Sequence, residues 1–175
     1  FWVTLPAWKL MRDQGYGRFV MTTSAAGIYG NFGQANYSAC KLALHGLSQT
    51  LAIEGRARGI RSNTIAPIAA SRLMGTVMDE RAMALLKPEV VSPLVAWLSH
   101  ESCEATGELF EVGAGWISRV RWERSRGAYF DPAGFTPDDV QAGWSRINAF
   151  ADATHPQSTA ETMRAIGANP HLGSE

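Results

Sequence analysis

The chain reads as an α/β protein built on a parallel sheet, and three observations carry that reading. Runs of apolar and β-branched residues at 18–23, 60–65 and 108–112 have the length of buried strands. Between them lie longer stretches with apolar residues at helical spacing, the clearest being Ala39, Leu42, Ala43, Leu47, Leu51 and Ala52. Glycine or proline punctuates the junctions. Strands alternating with helices in this way predict a parallel sheet with right-handed crossovers.

Taken in order, residues 1–14 read as a helix, because Trp2, Leu5, Trp8 and Met11 recur at helical spacing. Gln14-Gly15-Tyr16-Gly17 breaks it, with Gly15 just past its end. Residues 18–23 form the first strand, and 24–34 a loop with Gly27, Gly30 and Gly33. A helix over 35–58 ends at Gly59, and the strand 60–65 runs into Ala66-Pro67. Residues 71–86 read as a helical stretch rich in methionine (Met74, Met78, Met83). Pro88 opens a further helix to about residue 100, and 108–112 is the third strand.

After Gly115 the texture changes. Arg119, Arg121, Arg124 and Arg126 cluster with Trp116 and Trp122, and Asp131-Pro132-Ala133-Gly134 reads as a turn. A helix is expected from Pro137, with Thr136 as N-cap, Asp138 and Asp139 in its first turn, and Trp144, Ile147 and Phe150 as its buried edge. A short helix is expected over 159–166. The expected domains are 1–118, a partial nucleotide-binding catalytic domain, and 119–175, a helical extension.

Composition narrows the function classes. Hydrophobic residues make up 46% of the 175, which suits a packed core, and formal net charge is zero. Nothing in that balance points to nucleic acid or to an anionic membrane. No apolar run reaches membrane-spanning length. The two cysteines, Cys40 and Cys103, lack metal-ligand spacing, and the four histidines are scattered. A reducing, cytoplasmic setting is the expectation, since no signal peptide opens the chain and Leu172-Gly173-Ser174-Glu175 is not a peroxisomal tripeptide.

The chemistry is expected at Tyr37, Lys41 and Ser24. Tyr37 and Lys41 lie four residues apart, so on a helix both project from one face. An ammonium beside a phenol favours the phenolate, lowering a pKa whose reference is about 10. A tyrosine tuned in this way can exchange a proton with a substrate oxygen. Ser24 closes the first strand, at the carboxyl edge where open α/β sheets bind ligands. A Tyr-x-x-x-Lys pair alone is a weak pattern; its setting between two strand-like runs is what gives it weight. Cys40, on another face of the same helix, reads as a packing residue, and Asn63 as a structural one.

This order of strand, serine, glycine-rich segment, Tyr-x-x-x-Lys helix and strand resembles the short-chain dehydrogenase/reductase family over nearly the whole chain. Within it, the strings from Ile28 to Ala39 and from Glu108 to Ile117 are similar to the (3R)-hydroxyacyl-CoA dehydrogenase module of type 2 multifunctional enzymes. The segments Arg121-Trp122-Glu123-Arg124 and Pro156-Gln157-Ser158 are similar to it as well. The resemblance implies the C-terminal half of a doubly wound, Rossmann-like parallel sheet with helices on both faces. It implies a chain lacking about the first hundred residues of the family's layout. Those would carry the phosphate-binding turn, an asparagine of the catalytic set, and the residue that selects NAD over NADP.

The same resemblance assigns roles. Tyr37 becomes the catalytic acid/base and a cofactor contact. Lys41 tunes Tyr37 and binds the nicotinamide ribose, and Ser24 polarises the substrate oxygen. Pro67 lies by the nicotinamide, where Ile68 replaces a usual glycine, and Ser71 is a cofactor-contacting hydroxyl or a simple N-cap. Residues 72–86 match a substrate lid, and the arginines at 119–126 are either a coenzyme A phosphate contact or a solvated face. The implied cofactor is NAD, with NADP open. The implied partners are an acyl-CoA-type substrate and a second copy of the chain, docked through helices 1–14 and 35–58. The expected activity is hydride transfer between a nicotinamide and a secondary alcohol, foremost a (3R)-3-hydroxyacyl-CoA in fatty-acid β-oxidation, with the isolated chain inactive. Two alternatives stand beside it: a generic alcohol, steroid or acyl-carrier reductase, and a catalytically silent subunit that only associates.

Overall fold

A computed structural model of the chain describes residues 1–70 and 80–172. It divides into two compact units, Phe1–Val120 and a second from Arg121 onward. The first unit holds α1 (Thr4–Gln14), β1 (Gly17–Thr22), α2 (Ala25–Tyr29), α3 (Ala35–Gly55), β2 (Ile60–Pro67), α4 (Glu80–Leu85), α5 (Ser92–Ser99), β3 (Leu109–Gly113) and β4 (Trp116–Val120). The second holds α6 (Pro137–Ile147) and α7 (Thr159–Gly167).

The sheet order is β1-β2-β3-β4. The first three strands are parallel, with Thr22 opposite Ile65 and Pro67 opposite Val112. β2 is central and almost wholly buried, which explains its continuous rather than alternating pattern. On one face, Ile65 and Val112 pack with Leu94, Leu98 and Cys103, and Val20 joins from β1. Leu94 and Leu98 are four apart, so α5 turns one stripe to the sheet. Burying each of these leucines contributes about 1.5–3 kcal/mol.

The other face carries α1 and α3. Trp8 of α1 stacks on Phe19 of β1, with ring centroids 6.5 Å apart. Beneath α3 the contacts are partly polar. The His45 ring meets the Thr64 hydroxyl at 3.1 Å, and the Ser48 and Ser62 hydroxyls meet at 2.8 Å. All four side chains are buried. The parallel α/β architecture with helices on both faces is therefore the one expected from sequence.

The amino ends of the strands are gathered by Arg18. Its guanidinium donates to the carbonyls of Gly17 (2.9 Å), Gly59 (3.2 Å) and Glu101 (3.0 Å) and lies over the Tyr16 ring at 4.6 Å. A planar fork with five donors suits several carbonyls at once. Gly59 makes this junction possible: φ is +67°, and a Cβ there would sit 2.2 Å from the Gly15 carbonyl oxygen.

The structure corrects several expectations. Part of the expected loop 24–34 is a one-turn helix, α2, because Ser24 caps it and alanines fill its first turn. The helix expected from Pro88 is a 3-10 turn, Pro88–Val90, followed by α5, because Pro93 restarts the helix in a new first turn. Residues 116–120 form β4, antiparallel to β3. Ala114 and Gly115 link the two strands with φ of 49° and 79°, the geometry of a type I′ hairpin. Ala114 is not the usual residue for that position, so the turn carried no clear signal.

In the second unit, Thr136 is the N-cap of α6, as the sequence predicts, and with Asp139 it closes a capping box. The Asp131 turn also forms, closed by the bond from the Gly134 amide to the Asp131 carbonyl. Trp144 and Phe150 are exposed, against expectation; Gly143 is the buried residue of α6 because it lies against the Phe130 ring. Cys40 is exposed and does not serve packing, whereas Cys103 is a core residue. Ser71, Met74 and Met78 lie outside the described residues; Met83 on α4 is half-buried.

Gly15 also has positive φ (+71°), but a Cβ there meets nothing within 4 Å. Gly15→Ala should therefore cost only the backbone term of about 1–2 kcal/mol. Gly59→Ala should cost a further ~1–3 kcal/mol of overpacking. Urea midpoints of the two variants check the difference.

Candidate active site

The end of β1 is tied to the middle of α3 by two bonds. The buried Thr23 hydroxyl donates to the Lys41 carbonyl at 2.6 Å, and the Lys41 ammonium donates to the Thr22 carbonyl at 3.2 Å. Lys41 Nζ also lies 5.6 Å from the centroid of the Tyr37 ring, within range of a cation–π attraction. The i, i+4 spacing thus brings Tyr37 and Lys41 together on one side of α3. Tyr37 is 43% exposed, so its ring is open to a ligand.

Ser24 follows Thr23 directly and caps α2, its Oγ accepting from the Ala26 amide at 3.2 Å. That bond occupies a lone pair and leaves the hydroxyl proton free to be donated elsewhere. α2 lies close against α3 at Lys41. A Cβ on Gly27 would come within 3.0 Å of both the Leu42 nitrogen and the Lys41 Cβ, so the approach needs glycine. Pro67 ends β2 at the same carboxyl edge, where the Thr23 amide bonds the Ile65 carbonyl. The next amide, of Ile68, is fixed to the Val112 carbonyl at 2.8 Å. Ser24, Lys41 and Pro67 therefore share one edge of the sheet, and Tyr37 joins them through Lys41.

Two polar groups near this edge escaped the sequence reading. The Tyr29 hydroxyl, at the end of α2, donates to Glu111 Oε2 of β3 at 2.8 Å. The bond to the Glu111 carboxylate, then burial and the adjacent charge, raise the Tyr29 pKa. His45 stands one turn beyond Lys41, and burial lowers its pKa from 6.5. An acid inside an apolar strand run, and a histidine in register with Tyr37 and Lys41, were the available signals. Asn63 is buried; its side-chain amide donates to the Ala105 carbonyl and its oxygen accepts from the Glu108 amide. The arginine group divides. Arg119 pairs with Glu108 in the first unit, while in the second Arg124 donates to Thr162 Oγ1 and Arg126 to the Asp152 carbonyl. Among the described residues, no three His, Cys, Asp or Glu side chains converge as a metal site, and no helix is long and apolar enough to cross a membrane.

A profile described as short chain dehydrogenase matches residues 1–82. Peroxisomal multifunctional enzyme type 2 of Mus musculus is 55% identical over 168 residues, covering 95% of this chain and 23% of that protein. Residues 1–82 are thus similar to the short-chain dehydrogenase/reductase family. Peroxisomal multifunctional enzyme A of Dictyostelium discoideum is 49% identical over 160 residues, covering 91% of the chain and 36% of that protein. The full-length peroxisomal multifunctional enzyme type 2 from Drosophila melanogaster superposes with a TM-score of 0.83 at 37% identity, over 93% of this chain and 30% of that one. The chain thus spans only about a quarter to a third of the length of these relatives.

The match to short-chain dehydrogenases implies a nicotinamide cofactor, NAD or NADP. The donor set suits its ribose. Lys41 uses one of its three N–H donors on Thr22, leaving two on the ammonium that lies over the Tyr37 ring, which matches a pair of neighbouring sugar hydroxyls.

His45 gives a pH prediction. The unfolded chain takes up a proton as pH falls through about 6.5, whereas folded His45 resists it until lower pH. Its contribution is therefore fully present above 6.5 and is lost as pH falls below that value. Asp139, held below its ordinary 3.8 by its bonds to Thr136, titrates outside this window. Melting temperatures at pH 7.5 and 5.5 should fall more in the wild type than in His45→Gln.

Proposed function

We propose that the protein containing this chain is an oxidoreductase that moves a hydride between NAD and a (3R)-3-hydroxyacyl-CoA, forming the 3-ketoacyl-CoA of fatty-acid β-oxidation. The observation that carries the reading is the Lys41 ammonium over the Tyr37 ring, anchored to the strand end that precedes Ser24. The names of the relatives support the pathway.

Tyr37 is the acid/base. In the oxidative direction its phenolate oxygen takes the proton of the substrate hydroxyl. Ser24 donates its free hydroxyl proton toward the same substrate oxygen as negative charge develops there. Lys41 and Tyr37 would hold the nicotinamide ribose, and Pro67 would flank the ring. The nicotinamide, when bound, accepts the hydride. Ser71 is kept as a cofactor-side hydroxyl on the strength of the family pattern alone.

The association face is proposed on α1 and α3. An apolar groove between them is lined by Phe1, Leu5 and Trp8 on one side and Leu47 and Leu51 on the other. Phe1 and Leu5 are exposed there, which favours a second copy of the chain as occupant. The same groove favours the runner-up reading, a chain that associates without turning over. The proposed compartment is the peroxisome and not the expected cytoplasm, because relatives 55% and 49% identical to the chain carry peroxisomal names.

In the full-length protein Tyr37→Phe should abolish turnover while leaving NAD affinity within about two-fold, since it removes the proton-transferring hydroxyl and leaves Lys41 to hold the ribose. Stopped-flow NADH formation with cofactor titration checks this. NADH production on the 3R and 3S hydroxyacyl-CoA epimers, side by side with a free secondary alcohol, should favour the 3R ester. Equal rates on all three would return the reading to a generic reductase.

A further inference from the structure

We propose that Tyr29 and Glu111 form a strut that positions Ser24 from the opposite end of α2. The inference rests on the catalytic reading of Ser24 given above.

Glu111 lies well inside the sheet, on β3, with Ala66 of β2 and Ser118 of β4 as neighbours. It is only 9% exposed. A carboxylate so situated is costly unless a donor meets it. The donor is Tyr29, a residue 64% exposed whose hydroxyl turns in to Glu111 at 2.8 Å. A tyrosine so exposed is held little by packing; the hydroxyl bond fixes it.

Tyr29 is the last residue of α2, and Ser24 is its N-cap. The helix has five residues, so a shift at one end reaches the other. Its sides are set by Gly27 against Lys41 and Leu42. Directly after Tyr29 the chain turns at Gly30, where φ is +79°. Among the described residues, α2 is held by the Ser24 cap, the Gly27 approach and the Tyr29 strut, and of these the strut reaches across to β3. Its effect is to fix the angle of α2 and so the direction in which the Ser24 hydroxyl points. Neither residue takes part in the proton transfer itself; both are positioning residues.

The test is a double-mutant cycle in the full-length protein, read as kcat and as KM for 3-hydroxyacyl-CoA and for NAD. Tyr29→Phe should lower kcat about ten-fold, the scale of a small misplacement of a reacting group, with KM for NAD nearly unchanged. Glu111→Leu should match it, and Glu111→Gln, which keeps an acceptor oxygen, should recover most of the rate. In a Ser24→Ala background, Tyr29→Phe should cause no further loss, because it acts through Ser24. Losses that multiply across the two sites, or a Tyr29→Phe enzyme with wild-type kcat, overturn the strut while leaving the Ser24 assignment standing. A Ser24→Ala enzyme with wild-type kcat overturns the catalytic reading itself, and the strut with it. Should Glu111→Leu fail to fold, Tyr29→Phe decides, since its exposed ring contributes little packing.

Discussion

The site depends on one local constraint: the end of β1 and the middle of α3 are bonded to each other twice, through Thr23 to the Lys41 carbonyl and through the Lys41 ammonium to Thr22. A strand end has free carbonyls, and a lysine has a long, flexible stem. Joined, each removes the other's freedom. The ammonium is thereby held where it faces the Tyr37 ring, and the backbone of β1 is held where it delivers Ser24. Side-chain entropy lost by Lys41 is lost in the fold, before any ligand arrives, and does not have to be lost again on binding.

Much of this was legible in the chain itself. The three parallel strands, the long helix and its Tyr-x-x-x-Lys face follow from periodicity and spacing. Gly15 stands past the end of α1 with the left-handed backbone that its place predicted. Thr136 and Asp139 cap α6 because the two residue types at that spacing satisfy each other's backbone amides. Local rules suffice where the deciding contacts are local.

What escaped was decided by partners distant in sequence or by an unusual residue. Glu111 is one acid in an apolar run, and nothing near it announces Tyr29, 82 positions away. The β3–β4 hairpin turns at Ala114, which adopts a conformation usually left to glycine or asparagine. Trp144 and Phe150 have the spacing of a buried edge, yet α6 turns small Gly143 inward, where the Phe130 ring takes up the room. Aromatic spacing marks a helical face; it does not say which neighbour will have volume to spare.

The polar seam under α3 has a consequence for how the helix is seated. A helix resting on aliphatic side chains can slide along a sheet in small steps, each contact exchanged for a similar one. Here the hydroxyl and imidazole pairs His45–Thr64 and Ser48–Ser62 act as detents. A slip of one residue would strand buried polar groups together and cost several bonds at once. The helix therefore has one axial address instead of a continuum, and every side chain it carries inherits that address.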